Sequence, residues 1–394
     1  MPVRSYGAER AGWPDLNGNS ASLIALLDAV LVNGSSTLSV SSITRSGTTA
    51  TVTTATAHDY QTGDWILVAD ANEAAYNGAV KITRGSSTTF TYEVAGSPST
   101  PATGTITCRY APAGFEKKYS GTDKAVYRSL RSDSNKHYLR VVDDGSGGAT
   151  YKSAVCYSWE SMDDVDTGTA GCPTPNAQHW AKSNTTDGTA RWWRIITDGR
   201  LVYFFAGTNI AKTAGDTLVD GAMAVWGDFK SVMAGDIYNV IHAAYTAAYT
   251  NMNVINSLLG SCISASSYST NKSINIARSY NQALSVVNNA GIQGVSAGSE
   301  NCLGNSVAIP FPNKADSGFY IAPCILYETT NQTLRGVMPG CYQSYHGNCF
   351  SNNTLISGVS GMPNKKLVML YVKSSGYTGG VVIDIAGDDD GEWW

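Results

Sequence analysis

The sequence is short of charge. Of its 394 residues only 15% are Asp, Glu, Lys or Arg, against roughly 25% in a typical soluble domain, and the formal net charge is −4. A net-negative chain offers no basic field to a phosphate backbone, so sequence-independent nucleic-acid binding is not expected. Few surface charges also mean weak self-repulsion, which is typical of a subunit that packs against copies of itself.

Long apolar runs are missing too. No stretch reaches the ~20 apolar residues that a membrane-spanning helix needs, so no membrane partner is expected. The opening residues MPVRSYGAERAGWPDL contain neither an apolar core nor a small-residue cleavage site, so we predict no secretory signal. We therefore expect the chain to be made in a cytoplasm and to remain there until it is released.

Cysteine pairs of the CxxC type are absent, and no histidine lies at a zinc-ligand spacing from a cysteine, so no metal site is predicted. Two interpretations of the thiols remain open. In the first, the thiols are buried and reduced, as free cysteines in cytoplasmic proteins usually are. In the second, some of the thiols oxidise after release and cross-link neighbouring subunits. The eight cysteines, four of them in the last hundred residues, are Cys108, Cys156, Cys172, Cys262, Cys302, Cys324, Cys341 and Cys349.

Phosphate-binding and fibre motifs are also lacking. The glycine-rich stretch Gly145–Gly148 lacks the lysine that directly follows the last glycine of a phosphate-binding loop, and it opens no helical pattern, so it is not such a loop. The absence of heptads disfavours a coiled-coil fibre, and no fixed-period repeat indicates a propeller or a solenoid.

The histidines give weak signals for catalysis or metal binding. His58 precedes Asp59, and Asp64 follows shortly after, but His–Asp pairs at strand ends more often stabilise turns by hydrogen bonding, and we predict that role here. The remaining histidines have no local partner of the Ser-His-Asp or Cys-His kind; they are His137, His179, His242 and His346.

Asp163, Asp164 and Asp166 form the one dense carboxylate cluster inside the chain. A calcium loop that starts at Asp164 would place Gly168 at its fifth position and Pro175 at its twelfth, where oxygen ligands are required. We therefore predict turn-forming aspartates and assign no catalytic, cofactor-binding or metal-binding residue. A carboxylate pair for glycoside cleavage stays open, since its separation is a spatial quantity.

The residues that are abundant indicate a β-rich protein. The chain has 40 Gly and 22 Tyr, together with many Ser and Thr. Trp192–Ile196 and Leu201–Phe205, joined by Thr197–Arg200, predict a hairpin. We predict a mainly β, multi-domain protein whose body is a β-sandwich or jelly roll. Gly336–Tyr342 is predicted as a turn.

One short N-terminal helix is predicted between Ala21 and Val32, with Ser20 as its N-cap and Asn33-Gly34 at its end. Its apolar side chains recur with the helical period on one stripe, which indicates that this stripe packs against a sheet. They are Leu23, Ile24, Leu27, Val30 and Leu31.

Residues 37–110 read as a small antiparallel β-barrel inserted into the body, because short alternating runs are separated there by turn signals such as Asn77-Gly78. The body then comprises residues 20–36 and 111–244, and residues 1–19 form an N-terminal arm. Residues 245–299 are predicted as a long excursion or loop and 300–394 as a C-terminal β region with an aromatic tail.

The chain ends in an acidic run, Asp388–Asp390, followed closely by Trp393 and Trp394. The acidic run is predicted to be solvated. The two tryptophans either anchor a partner or fold back into their own domain, and the sequence leaves both outcomes open.

Two groups of motifs resemble virion proteins of tailed bacteriophages. The inserted segment, TATVTTATAHDYQTGDWILVADANEAAYNG followed by TTFTYEV, resembles a small β-module of phage structural proteins. The body resembles a largely uncharacterised family of phage and prophage structural proteins in SASLIALLDAVLVNG, APAGFEKKYSGTDKAVYRS, YSWESMDDVDTGTAGCPT, RWWRIITDGRLVYFF and LRGVMPGCYQ. The resemblance covers most of the chain and departs from it in residues 245–299 and in the cysteine content.

The resemblance implies a structural subunit of a tailed-phage virion, assembled in the bacterial host cytoplasm. We expect a head–tail neck or collar protein that forms a homo-oligomeric ring by lateral packing, without catalysis and without a cofactor. Its partners would be copies of itself, with inter-subunit disulfides if thiols oxidise, and other neck, portal or tail proteins. The alternative is a tail, baseplate or head-decoration protein that binds host surface glycans; a depolymerase would need carboxylates converging in a cleft.

Overall fold

The computed structural model describes most of the chain, namely residues 1–145, 152–173, 177–212, 221–245, 272–284, 289–293, 309–346, 349–359, 362–374, 377–387 and 391–394. Its described residues are mainly antiparallel β-structure with one short helix, as the sequence predicts. They divide into two compact units. The module unit comprises residues 10–14 and 25–114, and the body unit comprises residues 1–9, 15–24 and 115–394.

The predicted helix is present. It begins as an α-helix, Ser22–Leu27 (α1), continues with a wider π turn over Asp28–Asn33, and ends at Gly34, whose φ is 76°. The apolar stripe is buried, as the periodicity requires. The N-cap prediction is wrong: the carboxylate of Asp143, rather than Ser20, accepts the N–H of Leu23 at 2.9 Å.

The module unit is a seven-stranded antiparallel sheet in the part of the chain described. Its strand order is β5-β4-β8-β2-β3-β7-β6, so the two end strands, β5 and β6, are consecutive in the chain and the sheet curls into a nearly closed barrel. Its strands, numbered after Arg4–Gly7 (β1) of the body, are Ser35–Ser46 (β2), Thr49–Thr54 (β3), Trp65–Ala71 (β4), Gly78–Lys81 (β5), Thr83–Arg84 (β6), Thr89–Glu93 (β7) and Gly104–Tyr110 (β8).

The alternation of the sequence forms the core of this barrel. Val52 and Phe90 face each other on β3 and β7, and Ile66 and Val68 on β4 are fully buried as well. The intervening threonines lie on the outer face, half-buried or exposed. The period-2 pattern therefore predicts both the strands and the side of each strand that is buried.

The body unit contains a twelve-stranded sheet among its described residues. Its main path runs β1-β15-β16-β17-β19-β14-β12-β11-β10-β9, with β13 beside β12 and β20 beside β19. The next strands along the chain, of which β18 belongs to another sheet, are Phe115–Gly121 (β9), Lys124–Ser129 (β10), Tyr138–Val142 (β11), Ser153–Met162 (β12), Gly168–Cys172 (β13), Gln178–Ala181 (β14), Arg191–Thr197 (β15), Leu201–Ala211 (β16), Gly221–Asp228 (β17), Lys230–Ser231 (β18), Val240–Tyr245 (β19) and Lys272–Ile276 (β20).

The predicted tryptophan-rich hairpin is confirmed as β15 and β16. Every residue of β15 is buried, and Thr197 pairs with Val202 at the closed end. Asp198 closes the turn, because its Oδ1 accepts the N–H groups of Arg200 and Leu201 at 2.9 and 3.0 Å. Apolar side chains on both faces fit a strand near the middle of a packed protein.

The N-terminal arm predicted for residues 1–19 is part of the folded units instead. Arg4 pairs with Thr197 and Gly7 with Arg194, so β1 extends the large sheet beyond β15. Val3, Tyr6 and Leu16 are buried. A strand of four residues flanked by Gly and Pro has too few alternating polar and apolar residues to be recognised in the sequence. It forms in the structure because the edge of β15 offers hydrogen-bonding partners to it.

The second sheet of the body follows the order β21-β22-β23-β26-β25-β24, with β18 paired to β23. Tyr203 on β16 donates a hydrogen bond of 2.7 Å to the carbonyl of Pro339 on β23. This bond links the second sheet to the twelve-stranded sheet. The predicted C-terminal hairpin is present as β25 and β26. The strands are Ala290–Gln293 (β21), Ile321–Glu328 (β22), Thr333–Ser344 (β23), Thr354–Val359 (β24), Met362–Ser374 (β25) and Tyr377–Asp384 (β26).

The turn predicted for Gly336–Tyr342 is wrong, since these residues lie within β23. Their glycines serve close packing instead. A Cβ on Gly336 would lie 2.1 Å from the carbonyl oxygen of Lys230 on β18. Gly in a strand marks such close approaches as well as turns.

Of the predicted excursion, 245–299, residues 246–271, 285–288 and 294–299 lie outside the described residues. The described parts are not all loop: β20 pairs with β19 and β21 with β22. Ser273 and Asn275 make β20 look loop-like in sequence. Both are fully buried, and they satisfy each other by hydrogen bonds of 2.7 and 3.0 Å.

Candidate interaction surface

The His58 region of the module unit is built for packing and turns. The ring of His58 stacks on Tyr60 with a centroid distance of 4.8 Å, and burial lowers the pKa of His58. Asp64 Oδ2 accepts the N–H of Gln61 at 2.7 Å, and Asp59 Oδ2 accepts the N–H of Ala11 at 3.0 Å. The two carboxylates thus perform the turn and loop roles that the sequence predicts.

The Asp163–Asp166 cluster also forms a turn. Asp164 Oδ1 accepts the N–H groups of Asp166 and Thr167, both at 2.7 Å, and these hydrogen bonds lower the pKa of Asp164. Asp166 pairs with Lys124 at 2.7 Å and with Arg140. The turn prediction therefore holds for Asp164, and Asp166 is ion-paired.

The other histidines lie apart from one another, and three have a strongly lowered pKa. Burial lowers the pKa of His137, His179 and His242 to about 4. Trp180 Nε1 donates to Nε2 of His242 at 3.3 Å, so the ring proton resides on Nδ1, which lies 3.3 Å from the carbonyl oxygen of Cys172. Burial favours the neutral form of all three rings, and in His242 the hydrogen bonds also define which nitrogen carries the proton.

Among the described residues, no group of three or more His, Cys, Asp and Glu side chains could hold a metal ion. Within the same residues, no helix has both the length and the apolar character to cross a bilayer.

The terminal tryptophans, for which the sequence leaves two outcomes open, fold back onto the body unit. Trp393 is 5% exposed, donates to the carbonyl of Asp384 at 3.0 Å and packs edge-on against Tyr203. The guanidinium of Arg200 lies 3.9 Å from the ring centroid of Trp394. The predicted acidic run, 388–390, lies outside the described residues.

Gly340 on β23 makes room for Trp393. Its φ is +65°, and a Cβ there would lie 2.2 Å from Trp393 Nε1. We expect Gly340→Ala to lower the free energy of unfolding by roughly 2–3 kcal/mol, measured by urea titration, since it adds a clash to an unfavourable φ. Gly358→Ala is the matched control: its φ is +69° with no heavy atom within 4 Å, so about 1 kcal/mol is expected. Equal losses would show that the indole does not constrain Gly340.

The most notable surface feature was not apparent in the sequence, and it is built on Arg335. This side chain is fully buried and donates to Glu328 Oε1 at 2.6 Å, to Asp236 Oδ2 at 2.9 Å and to the carbonyl of Arg278 at 2.7 Å. Three separate chain segments are therefore joined at one guanidinium. A planar group with five donors is suited to such a junction.

Exposed apolar side chains lie on the segments that meet at this junction. They belong to the turn after β18, to the turn after β20 and to the start of β23, the segments that Arg335 holds together. We call them the Arg335 patch: Val232, Ile237, Tyr280, Leu284 and Leu334, which are 47–62% exposed. Local sequence carries no signal for this patch, because it arises from pairing between segments about a hundred residues apart.

A second arginine, Arg278, also links the segments that carry the patch. Arg278 makes a bidentate ion pair with Glu160 at 2.7 and 2.9 Å, and its guanidinium lies 4.4 Å from the ring centroid of Tyr238. Bidentate pairs hold their side chains in one geometry. The Arg335 patch therefore combines exposed apolar side chains with ion-paired segments beneath them, a combination that suits a protein interaction site.

A second group of partly exposed side chains is aromatic. The rings pack around His346, whose Nε2 accepts the N–H of Tyr320 at 2.9 Å. Phe311 and Tyr320 are 41% and 43% exposed, and the polar side chains of Asn313 and Asp316 lie in the loop between them. We call this the His346 cluster: Phe311, Phe319, Tyr320, His346 and Phe350.

Cysteine chemistry is limited by burial. Six cysteines lie in the described residues and are free thiols; all but the half-buried Cys349 are buried. Cys262 and Cys302 lie outside the described residues. Of the two interpretations that the sequence leaves open, the five buried thiols fit buried and reduced cysteines, whereas a cross-link between subunits would need an accessible thiol such as Cys349.

The arrangement as a whole offers surfaces for binding. Burial favours the neutral form of its core histidines, and the exposed large apolar side chains among the described residues all lie on the body unit. A scan of protein-family models and a search of curated proteins give no match to this chain.

Proposed function

We propose that this chain is a structural subunit of a tailed-bacteriophage virion, a neck or collar protein that forms a ring by lateral packing of identical copies and performs no catalysis. The observation that carries the proposal is the Arg335 patch, exposed apolar side chains on a rigid, ion-paired base. Apolar groups held in place cost little ordering entropy when a partner covers them. The resemblance of its sequence motifs to phage structural proteins is the reason for proposing a tailed-phage virion as the assembly.

The low charge of the surface supports the same function. With a formal net charge of −4 over 394 residues, copies of the chain repel one another weakly. In the proposed ring each copy contacts its neighbours and other neck, portal or tail proteins. The ring is assembled in the host cytoplasm and becomes part of the virion.

Leu334→Asp tests the proposal directly. A carboxylate in the centre of an apolar interface must be desolvated without a partner, so we expect self-association to weaken by at least roughly tenfold. The measurement is the concentration dependence of mass in light scattering, together with the yield of assembled particles. The folded state should be unaffected, because Leu334 is 48% exposed.

Leu355→Asp is the matched control. Leu355 is 68% exposed on β24, at the opposite end of the second sheet from β21 and β22. The Leu355→Asp variant should self-associate as strongly as the unaltered chain does. If Leu355→Asp weakens association and Leu334→Asp does not, the contact surface lies elsewhere and the Arg335 patch is not the interface.

The His346 cluster favours a second candidate, a tail, baseplate or head-decoration protein that binds host surface glycans. Exposed Phe311 and Tyr320 beside Asn313 and Asp316 combine ring faces with polar groups, as sugar recognition requires. Retention of the purified chain on immobilised host polysaccharide separates the two functions, since a neck subunit has no need of it.

A further inference from the structure

Two buried cysteines, Cys324 and Cys341, lie on the neighbouring strands β22 and β23 of the second sheet. Strands β22 and β23 pair antiparallel, with Ala322 opposite Gln343 and Pro323 opposite Tyr342. Continuing that register by one residue brings Cys324 opposite Cys341, where the register shifts between Pro323 and Ile325. Directly facing residues of an antiparallel pair project from the same side of the sheet.

The surroundings of the two thiols agree with this placement. Cys324 is 0% and Cys341 1% exposed, whereas Pro323 is exposed, so both sulfurs lie on the buried face. A hydrogen bond between the two thiols is the main cause that raises the pKa of Cys324. Facing Cβ atoms are about 4.5–5.5 Å apart in such pairs and 3.5–4.5 Å apart in disulfides, so a small strand adjustment closes the bond.

We propose that Cys324 and Cys341 form an intrachain disulfide when the protein leaves a reducing compartment. The two thiols lose two protons and two electrons as one S–S bond forms, and a low-molecular-weight disulfide such as oxidised glutathione takes them up as its own S–S bond breaks to give two thiols. The bond closes a loop over residues 325–340 and fixes the bulge on which Trp393 packs. This inference is independent of the proposed function.

The chain contains its own negative control. Cys156 and Cys172 are both buried and lie on the paired strands β12 and β13. Cys172 faces Ser158 there, which places Cys156 two residues out of register. Proximity along neighbouring strands without facing positions should not give a disulfide.

The test treats the purified full-length chain with oxidised glutathione, blocks remaining thiols with iodoacetamide in urea, and maps unreduced peptides by mass spectrometry. We expect a linked peptide pair containing Cys324 and Cys341 with the loss of two hydrogens, reversed by a reductant. Oxidation should also shift the urea midpoint upward, because the closed loop restricts the unfolded chain. Cys324→Ala should abolish both the linked pair and the shift.

Cys349 shows whether the oxidant has acted, because it is the described cysteine that is only half-buried. If Cys349 reacts while Cys324 and Cys341 both remain open to alkylation, the proposal is wrong. It is equally wrong if Cys341 is linked to a cysteine of a second chain, or if Cys156 and Cys172 are linked as readily as the facing pair.

Discussion

Arg335→Met is expected to lower the free energy of unfolding of the body unit by roughly 3–5 kcal/mol. The substitution keeps most of the side-chain volume but removes the charge that Glu328 and Asp236 share. Both carboxylates are buried, at 3% and 1% side-chain exposure, so they are left desolvated without a counter-ion. Urea titration followed by tryptophan fluorescence measures the loss, and Leu334, the neighbouring residue of the Arg335 patch, should lose its fixed position.

Arg128→Met is the matched control for this loss. Arg128 also pairs with a carboxylate, Glu116, but the two side chains are 25% and 30% exposed, so less than about 1 kcal/mol is expected. Adding Glu328→Gln and Asp236→Asn to Arg335→Met should recover part of the stability, because no charge is then left unpaired. A loss as small as that of Arg128→Met would show that Arg335 does not hold the segments together.

Acid is expected to destabilise the body unit strongly. The pKa values of His137, His179 and His242 are lowered by burial from 6.5 to about 4 in the folded state. Between these two values the unfolded chain binds protons that the folded chain does not. Stability is therefore fully present above about pH 6.5 and is lost as the pH falls towards 4, by on the order of 3 kcal/mol for each histidine.

His242 shows why protonation destabilises the folded state. Protonation places a second N–H on the ring nitrogen that accepts from Trp180 Nε1, so a hydrogen bond becomes a contact between two donors. Urea midpoints measured at several pH values from 8 to 4 should fall steadily below pH 6.5. A midpoint that does not change over this range would show that the buried histidines are not held neutral.

Asp228 on β17 works in the opposite direction. Burial raises its pKa from 3.8 to about 7, so the folded chain holds a proton that the unfolded chain has released. Above pH 7 the buried carboxylate of Asp228 is charged, which lowers the free energy of unfolding by roughly 4 kcal/mol. This destabilisation disappears as the pH falls towards 4. Asp228→Asn should therefore raise the urea midpoint at pH 8 and make the fall below pH 6.5 steeper than in the unaltered chain.

The sequence predicts the fold best where local pattern and burial agree. In the module, Val52 and Phe90 alternate with threonines and face inward, and the hairpin of β15 and β16 is recognisable from its apolar runs and its Asp198-Gly199 turn. The helix is recognisable from its stripe, but its cap is not. Asp143 reaches Leu23 from 120 residues away, and no local rule anticipates that.

The candidate surface could not have been predicted in the same way. Arg335 reads as an ordinary surface arginine, and Asp236 and Glu328 as ordinary surface acids, until the pairing of β18 with β23 brings them together. Buried polar strands such as β20 are missed for a related reason. Ser273 and Asn275 are suited to a sheet interior because their side chains hydrogen-bond to each other and Asn275 also donates to the carbonyl of His242.

The long reach of Asp143 has a consequence for the order of folding during synthesis. The module strands, between residues 35 and 110, all pair within that segment and can close as soon as it emerges from the ribosome. Strand β1 must wait for residues 194–197, and the first turn of the helix for Asp143. The earliest residues of the chain are thus among the last to find partners, so a pause in translation before β15 would leave Val3 and Tyr6 open to unwanted contacts.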